Sequence, residues 1–372
     1  MNHRTWWVVS CAISLVALVI LAVVWHREVH AYEPNPHEVT TQAEVDAEIK
    51  EHLTEEEIED RHIIPTGVFL QSFVFLNSND IHVSGYVWQK YPKDYPEEAE
   101  RGVLFPEQIS DLSPNTKEAY RKELEDGSEL IGWYFDIDLR QNFTYSKYPL
   151  DTHNLWIRLW HADFNHKAIL VPDLEAYAAT GKQDTFGLDQ EIVTQGWDLK
   201  ETYYSYKPID YDHTFGYEAY DPAVSSSLEL HFNLAVHRKF RDAFIVELVP
   251  LFVVAALLFG VVMMITNDEA KVSKFGLDTS GAIGTCSALF FVVMLAHIRI
   301  REFFPGEEIV YMEFFYLTTY IFILLVALNS YLFSYGNLVG PDIIYYKDNI
   351  VVKMAFWPVY LSIMAVLTVM RF

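Results

Sequence analysis

SSSLELHFNLAVHRKFRDAFIVELVPLFVVAALLFGVVMMI, residues 225–265, changes its hydrophobic pattern once. Up to residue 236, apolar and polar side chains alternate, which is typical of a β-strand with one buried face. Residues 243–265 are almost wholly apolar and long enough, as a helix, to cross a bilayer, where Pro250 is tolerated. A short basic segment, residues 237–241 (HRKFR), lies between the two patterns. The chain therefore has a β part that ends directly at a membrane part.

Four more apolar segments are long enough to be membrane helices. Residues 6–25 carry no charge and would span roughly 30 Å as a helix. This first segment, within residues 1–31, is either a signal peptide or a retained signal anchor. Both alternatives export the chain from residue 32 onward, so the topology of the rest is the same. The remaining membrane helices are predicted at about 243–265, 279–300, 313–334 and 354–370.

Topology and charge limit the location and the partners. The β part is predicted on the periplasmic or extracellular side of the inner (plasma) membrane, and the multi-pass helices contact the lipid bilayer. The formal net charge is −24, and nearly all of the acidic excess lies between residues 27 and 240. A nucleic-acid partner is not expected, since phosphate binding needs the opposite charge. Cys11 and Cys286 lie in different apolar segments, so no disulfide framework is expected.

Residues 63–237 show strand patterns separated by turn residues. VFLQSFVFL and IHVSGYVWQKY flank the turn NSND (77–80) and predict a hairpin. Helix is indicated only around residues 115–125 and near 40–60, where the acidic segment 32–62 predicts a surface helix. Further strands are expected at 130–146, 154–160, 167–171, 190–207 and 225–236. The predicted fold is an all-β, immunoglobulin-like sandwich of about ten strands, followed by a four-helix transmembrane bundle over residues 238–372.

The sequence carries no signature of catalysis. Nucleophile elbow, phosphate loop, HExxH and paired-carboxylate patterns do not occur, so neither an enzyme nor a cofactor is expected. His161, Asp163 and His166 lie close together in WHADFNH, but a full set of metal ligands is not apparent. These residues are interpreted as surface side chains, and no metal site is predicted.

Several motifs occur in the order found in a known receptor family. VSGYVWQKY (83–91) is a strand that ends in an aromatic residue, and YPLD (148–151) places a proline and an aspartate between two strands. Arg238 precedes the first bundle helix, and Pro305 follows the second. In this order the motifs resemble those of the pentameric ligand-gated ion channels, the Cys-loop receptor superfamily. The resemblance runs from about Gly67 to the end of the chain.

This resemblance implies a ligand-gated ion channel made of five identical subunits. In the family, a small-molecule or ionic ligand binds between neighbouring sandwiches and opens a pore for inorganic ions. Gln141 and Leu155 stand where animal members have two bridging cysteines, as in the prokaryotic type, and Ala162 stands where animal receptors have a central tryptophan. Aromatic rings can hold a cationic amine. The candidate ligand-binding aromatics are Tyr91, Trp160, Phe164, Tyr211, Phe215, Tyr217 and Tyr220.

The second bundle helix is expected to line the pore. Counting back from Pro305 gives a stripe whose members are spaced as one helical face requires. The pore-lining candidates are Gly284, Ser287, Ala288, Phe291, Leu295, Ile298 and Glu302. Phe291 and Leu295 are expected to form an apolar constriction that gates by dewetting. The acidic β part favours cation selectivity, whereas Arg299 and Arg301 favour anions, so selectivity stays open.

The resemblance also implies that the YPLD loop couples ligand binding to gating. The coupling candidates are Tyr148, Pro149, Leu150, Asp151, Arg238 and Pro305. Tyr148 and Leu150 are expected to pack near Phe303, Phe304 and Pro305. Asp151 is expected to pair with Arg238. The alternative is a β-turn with an exposed aspartate and a structural role only.

A second function is compatible with the same order of motifs. The chain would then be a membrane receptor of this fold that binds a ligand, does not conduct, and signals through a partner protein. Recording of current is the measurement that separates this hypothesis from the channel.

Overall fold

The computed structural model describes residues 3–34, 37–109, 116–164, 166–178, 185–212, 226–266, 278–306, 308–335 and 342–372. The chain forms two compact units. The β unit comprises residues 32–143 and 152–238, and the helical unit comprises residues 1–31, 144–151 and 239–372. Long apolar helices therefore lie at both ends of the chain. Residues 144–151, here called the YPLD loop, belong to the helical unit although they connect two strands.

Within the ranges that the structure describes, the β unit contains two sheets. The strands are β1 (His62–Phe75), β2 (Asp80–Tyr91), β3 (Val103–Leu104), β4 (Thr116–Glu123), β5 (Glu129–Arg140), β6 (Thr152–His161), β7 (Ala168–Pro172), β8 (Trp197–Asp210) and β9 (Ser226–Arg238). One sheet has five strands in the order β4-β5-β2-β1-β7, and the other has four in the order β3-β6-β9-β8. β1 and β2 are antiparallel neighbours, which confirms the predicted hairpin.

The two sheets share an apolar core. On β6, Leu155, Ile157 and Leu159 are fully buried, whereas the side chains between them are only half-buried. This is the alternation of a strand that turns one face to a core. Across the core, the Phe75 ring of the first sheet lies 4.6 Å from the Trp197 ring of the second. The sheets therefore face each other.

Short helices accompany the strands: α2 (Gln42–His52), α3 (Glu55–Glu59) and α4 (Glu175–Ala178). The first two lie in the acidic segment, where the sequence predicts helix. Each begins with a threonine that forms a capping box with the glutamate three residues later. α2 also buries Val45 and Ile49. It is therefore packed along one side and solvated along the other.

The helix expected around residues 115–125 is wrong, because Thr116–Glu123 form the edge strand β4. The sequence TKEAYRKE is rich in good helix formers. Antiparallel pairing with β5 supplies its backbone hydrogen bonds instead, and that partner is not visible in the local sequence. The charged side chains of β4 are exposed, as is typical of an edge strand that is protected from further pairing.

Among its described residues, the helical unit contains five helices that are long and apolar enough to cross a membrane. They are α1 (His3–His30), α5 (Phe240–Met264), α6 (Thr279–Phe303), α7 (Tyr311–Tyr335) and α9 (Ile350–Arg371), and the short α8 (Asp342–Tyr345) precedes the last. The chain is therefore a membrane protein, with α1 as a long apolar helix in addition to the four that follow the β unit.

α5 contains one wide turn over Phe244–Leu248, close to Pro250. Proline lacks an N–H, and its ring crowds the carbonyl four residues earlier, so the regular helical hydrogen bonds are interrupted at this point. Within the wide turn, the buried Glu247 carboxylate accepts a 2.7 Å hydrogen bond from the Tyr316 hydroxyl of α7. The irregular turn is therefore also the place where α5 is hydrogen-bonded to α7.

α1 packs along α9 with the same direction. The Ser10 hydroxyl donates to the Met354 carbonyl at 2.6 Å near the start of both helices, and the Arg27 side chain donates to the Phe372 carbonyl at 3.2 Å near their ends. The Trp25 indole N–H of α1 also donates to the Tyr311 hydroxyl at 2.8 Å. α1 is thus bound to the helical unit along its length.

Candidate functional site

The YPLD loop binds the start of α7 through its backbone. The Tyr311 N–H donates to the Ser146 carbonyl at 3.1 Å, and the Met312 N–H donates to the Tyr148 carbonyl at 3.2 Å. N–H groups in the first turn of a helix have no partner within that helix, so the loop supplies the acceptors. Arg371, at the end of α9, donates to the same Ser146 carbonyl at 2.9 Å. The loop therefore joins the start of α7 and the end of α9.

Aromatic packing holds the same loop beside α6. The Tyr148 and Tyr145 rings lie 4.8 and 4.6 Å from the ring of Phe304, which directly follows α6. Phe304 and Leu150 are buried, and Tyr148 is half-buried. The expected contact of Tyr148 with this segment is therefore present. Asp151 is 2% exposed, so the alternative of an exposed aspartate is wrong.

The other predicted coupling residues have different surroundings. Pro149 is buried and follows a cis peptide bond, whereas Pro305 is exposed. The Arg238 guanidinium lies 4.2 Å from the centroid of the Trp197 ring. The pairing of Arg238 with Asp151 stays a prediction.

Hydrogen bonds of Gln141 connect the two strands that flank the YPLD loop. Gln141 stands where the resemblance places a bridging cysteine, and it is buried. Its amide nitrogen donates to the Trp156 carbonyl, and its amide oxygen accepts from the Trp156 N–H at 3.3 Å. Two hydrogen bonds of one side-chain amide therefore join the chain segments before and after the loop, within the β unit.

α6 has one packed face and one open face. The residues of the packed face are Ala282, Cys286, Leu289, Val293 and Ile300. All of the predicted pore-lining residues are exposed: Gly284, Ser287, Ala288, Phe291, Leu295, Ile298 and Glu302. At roughly 100° per residue, these positions centre on the side opposite the packed face. Phe291 and Leu295, 57% and 65% exposed, are the most exposed large apolar side chains of α6.

A polar cluster that the sequence analysis missed joins the end of α6 to α7. His297 Nε2 and Arg301 Nε lie 3.1 and 3.2 Å from the Glu313 carboxylate. Glu313 is 3% exposed and also accepts from the Val310 N–H at 2.8 Å. A carboxylate buried among membrane helices is costly unless it is paired. The sequence signal for such a pair is the acid in α7 opposite the basic end of α6.

Three of the predicted ligand-binding aromatics meet in the β unit. The Phe164 and Tyr211 rings lie 5.7 and 6.0 Å from the Trp160 ring, both edge-on. The Trp160 indole N–H and the Tyr211 hydroxyl donate to the Glu229 carboxylate at 2.7 and 2.6 Å. These four residues line a cavity of about 110 Å³. The lining also includes Arg61, Lys167 and Asp163, so side chains of both charges surround the cavity.

Glu229 is the member of this pocket that the sequence analysis missed. It is 3% exposed, and its carboxylate lies 3.1 Å from the guanidinium of Arg158, which also pairs with Glu107. Burial alone would raise the pKa of Glu229, but the nearby His231, the Tyr211 hydroxyl and the Arg158 guanidinium outweigh burial and hold the pKa below its usual value. Arg158 lies opposite His231 in the sheet register, and Glu229 is two residues before His231 on the same strand. Opposite charges at such diagonal positions on neighbouring strands are the sequence signal for this contact.

The remaining ligand-binding candidates do not join this pocket. Tyr91 is fully buried, and its hydroxyl accepts from the Gly102 N–H at 2.8 Å, so its ring is part of the core. Phe215, Tyr217 and Tyr220 lie outside the described residues.

The histidine cluster of the WHADFNH segment lies beside the pocket and lines part of it. His166 Nδ1 is 2.8 Å from the Asp163 carboxylate, and His161 Nε2 is 2.9 Å from the Tyr95 hydroxyl. Within the part of the chain that the structure describes, no three His, Cys, Asp or Glu side chains are grouped so that they could hold a metal ion. These side chains are partnered with each other and with Tyr95, which follows β2.

Comparison of the sequence with family models and with curated proteins gives no match. The function is therefore argued from the geometry of the YPLD loop, the open face of α6 and the aromatic pocket, together with the order of the motifs.

We expect Phe304→Ala to destabilise the helical unit by about 3–5 kcal/mol, the usual cost of removing a buried aromatic ring. The matched control is Phe303→Ala, because Phe303 is the neighbouring phenylalanine and is 45% exposed. Phe303→Ala is expected to lower the free energy of unfolding by less than about 1 kcal/mol. Denaturant unfolding of the full chain in detergent measures both values. Equal costs for the two variants would show that the loop rings do not anchor Phe304.

The stability of the β unit is expected to depend on the charge of Glu229. The pKa of Glu229 is lower in the folded state than in the unfolded chain. The contribution of this carboxylate to the free energy of unfolding is therefore fully present above the unfolded pKa of about 4.3. The contribution is lost as the pH falls through the lower, folded-state pKa. Glu229→Gln should therefore be less stable than the wild type at pH 7, and the difference should shrink in acid.

Thermal unfolding from pH 7 to pH 3 measures this effect. Glu125→Gln removes an exposed carboxylate and is the matched control, with little change expected at any pH. A stability difference between the wild type and Glu229→Gln that does not vary with pH would contradict the assignment of a charged Glu229.

Proposed function

We propose that the chain is the subunit of a pentameric ligand-gated ion channel of the prokaryotic type. Five identical subunits surround a pore lined by α6, and a ligand that binds between neighbouring β units opens it. In this proposal the β unit is an immunoglobulin-like sandwich, and α5, α6, α7 and α9 form a four-helix bundle with α1 as an additional, retained anchor. The protein lies in the inner (plasma) membrane with the β unit on the periplasmic side.

The open face of α6 is the observation that carries the proposal. This face begins with the small residues Gly284, Ser287 and Ala288, and it continues with Phe291 and Leu295. Small and hydroxylated residues on a membrane helix favour close helix contacts or a wet lumen rather than lipid. Five copies around an axis would cover this face and bring the large apolar side chains together as a ring. Such a ring is the narrow, apolar constriction that a dewetting gate requires.

The YPLD loop supports the mechanism of coupling. Its carbonyls accept from the first N–H groups of α7, and its tyrosine rings pack on Phe304 at the end of α6. A displacement of this loop therefore acts on the α6–α7 connection through both hydrogen bonds and ring contacts. A ligand shifts the channel toward the open state only to the extent that it binds that state more tightly.

The ligand class that we propose is a small organic cation. The pocket is lined by two acids, Asp163 and Glu229, and two bases, Arg61 and Lys167. The proposal rests on the Glu229 carboxylate, which lies against the Trp160 and Tyr211 side chains and favours a positively charged guest there. The rings of Trp160 and Tyr211 can pack against the apolar part of an amine. The acidic surface of the exported part raises the local concentration of such cations.

One observation favours the non-conducting receptor as a second candidate. The hydroxyl groups of Thr285 and Ser287 on α6 donate to the carbonyls of Gly281 and Ile283, each at 2.9 Å. These hydroxyls are satisfied within their own helix and therefore do not need water beside them. A ring of subunits with a dry centre would accommodate them equally well.

Current recording from the purified full chain in planar bilayers tests the channel. Phe291→Ala is expected to raise the unliganded current or lower the ligand concentration needed for opening, because the smaller side chain widens the constriction and a wider pore wets more readily. The matched control is Val253→Ala on α5, since Val253 is also exposed (53%) but lies outside α6. Organic amines, amino acids, protons and divalent cations are applied as ligands, and the mass of the assembly gives the number of subunits.

A monomeric protein would overturn the channel proposal. Amine binding without current, over all ligands and pH values on the same preparation, would also overturn it. That result would favour the non-conducting receptor. Equal effects of Phe291→Ala and Val253→Ala on the current would show that α6 does not line the pore.

A separate prediction concerns the amine pocket. Glu229→Gln removes the negative charge and should weaken binding of an activating amine by roughly tenfold to a hundredfold, since a charged contact contributes about 1.5–3 kcal/mol. Isothermal titration and the concentration for half-maximal current both report this change. Glu125→Gln, outside the pocket, is the control and should leave both values unchanged. Unaltered amine affinity in Glu229→Gln would show that the ligand binds outside this pocket. The proposal that α6 lines the pore would not be affected.

A further inference from the structure

The end of α1 lies close, along the chain, to the first of the connections between the two units. The chain passes between the units after residues 31, 143, 151 and 238. α1 ends just before the first connection, the YPLD loop runs from the second to the third, and α5 begins just after the fourth. Contacts of α1 with the YPLD loop and with the start of α5 therefore join elements that are each connected directly to the β unit.

Trp25 connects the end of α1 to the starts of α5 and α7. Its ring lies 5.5 Å from the Phe240 ring and 6.3 Å from the Phe244 ring of α5. Its indole N–H donates to the Tyr311 hydroxyl at 2.8 Å. The backbone N–H of the same tyrosine donates to the Ser146 carbonyl of the YPLD loop at 3.1 Å. The first residue of α7 is therefore held by the loop through its backbone and by α1 through its side chain.

An ion pair adds a direct contact between α1 and the YPLD loop. The Glu28 carboxylate of α1 lies 3.6 Å from the Lys147 ammonium of the loop and 2.9 Å from the Arg27 guanidinium. The Lys147 side chain is half exposed, so solvent screens this pair and its contribution is small. The hydroxyl that accepts from Trp25 belongs to the buried Tyr311. The Trp25–Tyr311 hydrogen bond is therefore the stronger of the two contacts.

We propose that the end of α1 is a further element of the coupling machinery, in which Trp25 positions the start of α7 for the YPLD loop. The part of this inference that concerns gating rests on the proposed channel function. A movement of the β unit that displaces the loop also pulls on α1 through the connection after residue 31, and Trp25 passes that movement to Tyr311 and to the start of α5. Trp25 is a positioning residue, since it acts through Tyr311 and not on the pore or on a ligand.

Hydrogen exchange of the Tyr311 and Met312 amides in the full chain measures how firmly the YPLD loop holds α7. The intact mass first shows that α1 is present. Trp25→Phe keeps an aromatic ring but removes the N–H donor, and it should raise the exchange rate of these amides roughly twofold to tenfold, the factor that corresponds to one hydrogen bond. Trp25→Ala also removes the ring and should raise the rate further. Trp6→Phe and Trp6→Ala are the matched controls, because Trp6 lies on the same helix and is 51% exposed, and both should exchange as the wild type does.

Current recording in planar bilayers tests the role of Trp25 in gating. Current is measured without ligand on the Phe291→Ala background, and with tetramethylammonium as the applied cation on the wild-type background. Adding Trp25→Phe should change the unliganded current, or the tetramethylammonium concentration for half-maximal current, by about threefold or more, because removal of a contact that differs between two states shifts their populations. Trp6→Phe should change neither. Should Trp25→Ala fail to fold, as checked by helical circular dichroism, Trp25→Phe gives the answer.

The two measurements separate this inference from the channel proposal. Exchange at the wild-type rate in the Trp25 variants would overturn the inference, whatever the current shows. Faster exchange together with an unchanged current response would overturn the role of α1 in gating. Faster exchange without current in any variant, including Phe291→Ala, would support the positioning of α7 by Trp25 and would count against the channel.

Discussion

The first turn of α7 is completed from outside its own helix, by the carbonyls of the YPLD loop. A buried N–H group without an acceptor costs about 1–3 kcal/mol, and two such groups, on Tyr311 and Met312, depend on this loop. The loop also provides the rings that cover Phe304. Withdrawal of the loop would therefore expose apolar surface and leave donors unpaired at the same time. This explains why residues 144–151 belong to the helical unit although strands lie on both sides of them in sequence.

Three buried carboxylates, distributed over both units, are each paired with donors from a neighbouring element. Glu229 of β9 accepts from β6, Glu313 of α7 binds the end of α6, and Glu247 of α5 accepts from α7. Because an unpaired charge in such surroundings costs several kcal/mol, each pair penalises any arrangement in which the two elements separate or slide. The pairs therefore define which elements stay together, while apolar burial supplies most of the stability.

The sequence predicts those parts of the structure that depend on local periodicity. The five apolar helices and the β1–β2 hairpin are visible as patterns of one segment. β4 is predicted incorrectly because its partner β5 decides its conformation, and isolated propensity favours helix. Glu229 and Glu313 are missed because their roles arise from the register between two elements, which no single segment contains. Tyr91 is an aromatic at the expected position whose burial depends on the packing of distant residues.

α1 and α6 are both largely exposed along one side, yet the chemistry of the two surfaces differs. The exposed side chains of α1 include Leu15, Val16 and Val23, which suit hydrocarbon along the length of the helix. The open face of α6 instead passes from glycine and serine through large apolar residues to Glu302, which follows Arg299 and Arg301 in the sequence. Lipid is an adequate neighbour for the first surface, whereas the charged end of the second surface is costly in hydrocarbon. In the proposed assembly, further copies of the chain would cover the open face of α6, whereas the exposed side of α1 suits contact with lipid.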